Sequence, residues 1–220
     1  MDLDYELLRR AFWPLVKGAL LGTIPLSLIS FALGLTIAIV VALMRISRHR
    51  WLSGPGRAYV SIVRGTPLLV QLLVIFYGLP EVGVTLDPWP TAILAFSFNV
   101  GGYAAEIVRA AILSVPRGQW EAAHMIGMTR STTLRRIILP QAARVSVPPL
   151  SNTFISLVKD TSLASLVLVG EMFRRGQEIA SQSSQFLVVY IEAAAIYWAI
   201  CLLLSAGQSR LEKRLERHAV

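Results

Sequence analysis

Long apolar runs alternate with short polar segments along the chain. The longest run without a charge is Gly18–Met44, and four more follow at Gly65–Pro80, Pro88–Ala105, Val145–Val158 and Ala193–Ser209. A helix needs about 20 apolar residues to cross the hydrocarbon core of a membrane. The pattern therefore predicts an all-α, polytopic membrane protein with five transmembrane helices.

Polar segments set the predicted boundaries of these helices. The predicted spans cover residues 18–44, 57–79, 90–113, 140–158 and 186–209, in a single transmembrane domain over residues 1–220. Ser53-Gly54-Pro55-Gly56 predicts a turn before the second span. Lys159-Asp160-Thr161-Ser162 predicts a break in the fourth helix, because Thr and Ser favour helix caps. Residues 3–17 predict either an amphipathic segment on the membrane surface or the start of the first helix.

Composition and charge agree with a membrane protein. The chain is 55% hydrophobic and 15% charged, whereas soluble domains carry roughly 25% charged residues. The net charge of +8 comes from Lys and Arg clustered between the apolar runs, which argues for the positive-inside rule and against a nucleic-acid partner.

Counting these residues predicts the orientation. One side holds thirteen Lys and Arg, in the loop between helices 1 and 2, the loop between helices 3 and 4 and the tail that ends with Arg217, and the other side holds five. The predicted N-terminus is therefore outside and the C-terminus is cytoplasmic.

The polar segment 114–136 lies between the third and fourth spans. Gln119–Met128 is a run of helix formers with Glu121 near its start and Gly127 near its end, where a helix favours an acid and a stop residue. A second short helix is predicted to start at Thr129 or Ser131. The segment is either a solvated linker or a short cytoplasmic helix that fits a groove on a partner.

The same segment carries a family signature. Glu121-Ala122-Ala123 is followed after three residues by Gly127, and after nine more by Ile137, one residue and Leu139-Pro140. This spacing resembles the EAA signature of ABC importer permeases. Further segments resemble the polar amino-acid permeases, and in finer detail the L-cystine permeases, over about residues 17–208: Arg64-Gly65-Thr66-Pro67-Leu68, Tyr103-Ala104-Ala105-Glu106-Ile107-Val108-Arg109, Pro140-Gln141-Ala142 and Leu157-Val158-Lys159-Asp160-Thr161-Ser162-Leu163.

The resemblance implies a function and a set of partners. The chain is expected to be the permease of an importer in the bacterial inner membrane, moving polar amino acids, L-cystine among them, by alternating access. A second permease subunit, as a homodimer or a heterodimer, two ATP-binding subunits and an extracytoplasmic solute-binding protein are expected. Segment 114–136 is then the coupling helix, with Glu121, Ala122, Ala123 and Gly127 at the ATPase.

No catalytic, metal or cofactor site is expected in this chain. The sequence contains no P-loop motif Gly-x-x-x-x-Gly-Lys-Ser/Thr, so ATP and Mg²⁺ are expected on the separate ATPase subunit. The rival functions are an ion- or proton-coupled carrier or channel without an ATPase, and an intramembrane enzyme.

Polar residues within the third span are candidates for substrate contact, because ionisable groups in a membrane are costly. Asn99, Tyr103 and Glu106 fall on one helix face at i, i+4 and i+7. Glu106 can receive a substrate ammonium, while Asn99 and Tyr103 position a carboxylate. The alternative is that Glu106 forms a structural salt bridge with Arg109.

Three more candidates lie at predicted irregularities of the helices. At the break in helix 4, Lys159 can meet a substrate carboxylate and Asp160 an ammonium, or the two can pair with each other at the outer interface. Thr66 lies beside Pro67, where a bend either exposes it to substrate or is an ordinary kink. Glu192 in the last span is expected at the outer interface.

Overall fold

The computed structural model describes residues 5–216, so residues 3 and 4 of the predicted N-terminal segment and Arg217 of the basic tail lie outside the described residues. No strand occurs within that range. The α-helices are α1 (Tyr5–Gly18), α2 (Ile24–Ile46), α3 (Arg50–Gly65), α4 (Leu68–Leu73), α5 (Leu79–Glu81), α6 (Pro88–Ser114), α7 (Arg117–Met125), α8 (Arg130–Thr133), α9 (Leu139–Asp160), α10 (Met172–Ser183) and α11 (Phe186–Glu216).

Several of these helices run into one another. Three π-helical turns join consecutive helices, at Ala19–Thr23, Val74–Gly78 and Leu134–Ile138, and a 3₁₀ turn at Thr161–Val167 extends α9. Three continuous helices are long and apolar enough to cross a membrane, and the number is five if each of two bent pairs crosses once. The predicted all-α membrane fold is confirmed, with three to five candidate spans among residues 5–216.

The first helix begins earlier than predicted. Residues Glu6–Ile46 form one continuous helix, so the alternative of a separate surface segment is wrong for the described residues. This helix packs closely against the start of α10. A Cβ on Gly22 would lie 2.5 Å from Glu171 Cα, and one on Gly18 would lie 2.9 Å from Met172 Cα, so these two glycines allow the helix to touch the N-terminal end of α10 directly.

Glu171 fixes that junction from the other side. Its carboxylate is fully buried and accepts hydrogen bonds from the backbone N–H groups of Phe173 at 2.8 Å and Arg174 at 2.7 Å, which caps α10. It also accepts from Thr23 at 3.3 Å and Tyr197 at 3.0 Å. One side chain therefore ties the π turn, α10 and α11 together.

The helix that contains the start of the second predicted span begins at Arg50, seven residues before residue 57. The predicted turn Ser53–Gly56 is wrong, since these residues lie inside α3. Packing overrides turn propensity here: a Cβ on Gly56 would lie 3.0 Å from Arg45 Cγ and 3.5 Å from Met44 Cβ. The missing side chain lets α3 lie close against the end of α2.

The fourth helix also differs from the prediction. It begins at Arg130, ten residues before Pro140. The α-helix ends at Asp160, at the predicted break, but a 3₁₀ turn continues the chain to Val167 and no new α-helix starts there. The hydroxyls expected to cap a new helix instead donate to the preceding turn, from Thr161 to Val158 O at 2.7 Å and from Ser162 to Lys159 O at 2.8 Å. The chain bends by 51° only after Val167.

Helix α6 lies at the centre of the bundle. It packs along α2, with α3 and α9 on its other sides. Small residues allow the close approach: a Cβ on Gly101 would lie 2.7 Å from Ile37 Cγ2, and one on Gly102 would lie 2.5 Å from Val63 Cγ1. The last helix, α11, is peripheral, and it runs to Glu216 and not to the predicted end at residue 209.

Candidate functional site

A cavity of about 590 Å³ with several polar residues in its wall lies where the α3–α4 bend meets the middle of α6 and the end of α9. Four of the predicted substrate-contact residues line it: Thr66, Asn99, Tyr103 and Asp160. The remaining lining residues are Pro67, Leu68, Leu69, Val100, Asn152, Thr153, Ser156, Leu157 and Leu163. The predicted residues Glu106 and Lys159 do not line it.

The bend at Thr66–Pro67 is much sharper than a kink. Helices α3 and α4–α5 meet there at 106°. Pro67 has no N–H, so the carbonyl of Val63, four residues earlier, loses its helical donor. The side chain of Gln71 replaces that donor, bonding Val63 O at 2.8 Å and Thr66 O at 3.2 Å. The bend is thereby closed from within the chain.

Gln71 also connects the bend to α6. Its Nε2 donates to Thr66 Oγ1 at 2.8 Å, and its Oε1 accepts from Asn99 Nδ2 at 3.0 Å. The orientation of two cavity residues, Thr66 and Asn99, therefore depends on a third side chain. Sequence spacing alone does not reveal this link, because Gln71 and Asn99 lie 28 residues apart.

A polar stripe on α9 forms the opposite wall. Asn152, Ser156 and Asp160 follow one another at intervals of four residues and all line the cavity, with Thr153 beside them. Sequence reasoning missed the first two as site residues. The signal was present as polar residues at helical spacing within the charge-free run 145–158.

Asp160 is the only charged residue that lines the cavity within the described range. The side chain is half-buried, and no described residue hydrogen-bonds to its carboxylate. The neighbouring Lys159 is exposed and does not line the cavity. The arrangement offers a bound molecule one negative charge together with amide and hydroxyl groups.

Glu106 lies outside the cavity, in an ion cluster that joins three helices. Arg109 Nε donates to Glu106 Oε1 at 3.0 Å, and Arg109 Nη2 makes a second bond to the same oxygen. Arg45 of α2 bonds the other oxygen, and Arg64 of α3 lies 4.0 Å from it. Both carboxylate oxygens are therefore occupied by guanidinium groups, which favours the structural alternative over direct contact with a substrate ammonium.

The second candidate region is the segment after α6. Helix α7 is present where a helix was predicted, and it ends in a Schellman motif. The N–H of Met128 bonds Ala123 O at 3.0 Å, and the N–H of Gly127 bonds His124 O at 3.0 Å. Gly127 has φ +78°, a conformation that glycine adopts without strain.

The signature residues of this segment divide between two faces. Ala123 is buried, whereas Glu121, Ala122 and Gly127 are exposed. Met125 and Ile126 are among the most exposed apolar side chains, at 84% and 77%. An exposed apolar tip beside an exposed glycine is a surface suited to a partner protein.

The segment that contains α7 packs against the α8–α9 helix. Trp120 packs on a buried cluster that contains Ile112 of α6 and Ile138 and Ala142 of the α8–α9 helix. Thr129 caps α8 by accepting a hydrogen bond from Thr132 N at 3.3 Å, as predicted for the second short helix. The helix that starts here extends to Asp160 at the cavity.

Comparison with known proteins identifies the fold. Residues 34–217 match the family described as "Binding-protein-dependent transport system inner membrane component". The L-cystine transport system permease protein TcyB of Bacillus subtilis (strain 168) is 58% identical over 217 residues, which are 98% of this chain and 93% of that protein. The probable amino-acid ABC transporter permease protein YckA of the same organism is 38% identical over 192 residues, 87% of this chain and 85% of that protein.

A solved structure agrees with these relatives. The crystal structure of an amino acid ABC transporter with histidines has a chain with 32% identity and a TM-score of 0.91, covering 97% of this chain and 100% of that chain. A binding-protein-dependent system works with an ATPase and a binding protein, so both are partners of this chain. The resemblance to polar amino-acid ABC permeases is confirmed, and the rival functions without an ATPase are set aside. The chain belongs to the family of inner membrane components of binding-protein-dependent transport systems and is a multi-pass ABC permease subunit, not an ATPase.

Proposed function

We propose that this chain is the permease of an ABC importer for L-cystine. The observation that carries the proposal is the 58% identity to an L-cystine permease along almost the full length of both chains. The cavity supports it, because its wall contains the amide, hydroxyl and charged groups that a zwitterionic substrate needs inside the membrane.

The cavity is the proposed substrate site. Asp160 receives a substrate ammonium, since its carboxylate has no hydrogen-bond partner among the described residues. Asn99, Tyr103 and Thr66 supply neutral donors and acceptors. A direct role for Glu106 or Lys159 stays a prediction, and neither residue lies in the cavity wall.

The α8–α9 helix is the proposed mechanical link between ATP hydrolysis and the cavity. Segment 117–128 docks on the ATPase through Glu121, Ala122 and Gly127, with Ala123 holding the segment to the bundle. Movement of this segment is carried by one continuous helix from Arg130 to Val167. Asp160 therefore moves with the coupling segment, which is what alternating access requires.

The proposed assembly contains two permease subunits, two ATP-binding subunits and one extracytoplasmic binding protein. Much apolar surface of α11 is exposed in a single subunit, since only 11% of its most apolar 18-residue stretch is buried. This surface is available to lipid or to a second permease subunit. ATP and Mg²⁺ bind the ATPase subunits in this assembly.

The proposed orientation has an outer N-terminus and a cytoplasmic C-terminus. In a Cys201→Ser background, cysteine at Val84 is expected to react with an impermeant thiol reagent in intact cells, and cysteine at Ser131 only after permeabilisation. Both parent residues are exposed. The reverse labelling pattern would contradict the orientation.

A binding screen tests the substrate directly. The permease is purified with its ATPase, and its melting temperature is measured with L-cystine and with each of the common amino acids. The proposal expects the largest stabilisation with L-cystine. Stabilisation by a different amino acid alone would retain the importer and overturn the substrate.

A further inference from the structure

We propose that Arg64 is the carboxylate-binding residue of the substrate site. This inference rests on the proposed function, because it assumes that the cavity holds an amino acid. A zwitterionic amino acid presents one ammonium and one carboxylate on its α-carbon. The cavity wall supplies one charge, the negative charge of Asp160, so a cation is needed at the rim.

The position of Arg64 suits that role. Its guanidinium carbon lies 5.7 Å from the centroid of the Tyr103 ring, and Tyr103 lines the cavity. Thr66, two residues further along the chain, also lines it. Arg64 itself is not part of the cavity wall, and it is connected to the wall by the Tyr103 ring beneath it and by the backbone that leads to Thr66.

The ion cluster leaves Arg64 free to bind. Arg109 and Arg45 occupy both oxygens of Glu106, and Arg64 stays at 4.0 Å from the nearer oxygen. None of the described residues accepts a hydrogen bond from Arg64, and its side chain is 48% exposed. A guanidinium with open donors can bind a carboxylate with two parallel hydrogen bonds.

The charged groups around Arg64 do not neutralise its positive charge. Arg45, Arg64 and Arg109 share the single carboxylate of Glu106, so the cluster keeps an excess of positive charge. Stacking on Tyr103 restrains the guanidinium. Lys159, the cation expected from the sequence to bind the carboxylate, is exposed and, like Arg64, absent from the cavity lining. Among the described residues, Arg64 is the cation that stacks on an aromatic ring of that lining.

The test compares L-cystine with cystamine, which is cystine without its two carboxylates. Binding to the purified permease–ATPase complex, without the binding protein, is measured as a ligand-dependent rise in melting temperature. Wild type is expected to prefer cystine. Arg64→Gln is expected to lose about tenfold or more of its cystine affinity and almost none of its cystamine affinity, since hydrogen bonds between charged groups are strong.

Two variants control the test. Lys159→Gln removes a nearby cation and is expected to keep the preference for cystine. Arg64→Lys keeps the charge but loses the paired donors, so it is expected to fall between wild type and Arg64→Gln. If Arg64→Gln does not assemble with the ATPase, Arg64→Lys alone decides: a preference equal to that of wild type overturns the proposal.

The outcomes separate this inference from the proposed function. If Arg64→Gln prefers cystine over cystamine as strongly as wild type does, or if Lys159→Gln loses that preference, the role of Arg64 is overturned. The proposed importer function is unaffected by either result. If wild type binds a different amino acid, the same comparison is made with that amino acid and its decarboxylated amine. If wild type binds no amino acid, the proposed function fails first.

Discussion

Removing the side-chain amide of Gln71 is expected to loosen the bend that shapes the cavity. Gln71→Leu keeps most of the volume but deletes the donor to Val63 O and the acceptor for Asn99 Nδ2. An unsatisfied polar group costs about 1–3 kcal/mol, so the two together predict a loss of about 2–6 kcal/mol in unfolding free energy. Because Asn99 then loses its anchor, transport is expected to weaken through a higher KM.

The measurement is thermal unfolding of the purified permease–ATPase complex, followed by uptake kinetics. Gln182→Leu is the matched control, since Gln182 is exposed on α10 and the described residues show no hydrogen bond to its side chain. The control is expected to unfold like wild type. A Gln71→Leu variant with the stability and the KM of wild type would refute the account of the bend.

Three further substitutions test the other parts of the account. Glu106→Gln is expected to destabilise the complex. Removing one partner costs roughly 0–1 kcal/mol for an exposed ion pair and about 3–5 kcal/mol for a buried one, and the loss is expected between these limits. Normal stability with lost transport would favour direct substrate contact instead. Asp160→Asn is expected to cut amino-acid uptake at least tenfold while the ATPase still co-purifies, and normal uptake would remove Asp160 from the site. Gly127→Ala is expected to cost about 1–2 kcal/mol of conformational free energy, because Gly127 has a positive φ, and to weaken co-purification of the ATPase. Gly118→Ala, at a position without positive φ, serves as the control. Equal co-purification of the ATPase with both variants would count against the coupling role.

The sequence predicted the parts of the fold that depend on local pattern. The apolar runs located the membrane helices, and the Gly127 stop was visible because helices favour glycine there. The shared face of Asn99 and Tyr103 followed from their spacing alone, and both line the cavity. These features need no knowledge of which helices pack together.

Errors arose where tertiary contacts override local preference. Ser53–Gly56 contains turn residues, yet they are helical because Gly56 packs against α2. Thr161 was expected to cap a helix, but its hydroxyl bonds the preceding turn. The same limit applies to the site, since the Gln71–Asn99 hydrogen bond and the Glu106–Arg45 ion pair connect residues that are distant in sequence.

Reconstituted transport tests the central claim most directly. The permease, its ATPase and the binding protein are assembled in proteoliposomes, and uptake of labelled L-cystine is followed over time. The account predicts uptake that requires both ATP and the binding protein and that saturates with L-cystine. Uptake that proceeds without ATP under an ion gradient, or no L-cystine uptake from a complex that hydrolyses ATP in response to the binding protein, would contradict it.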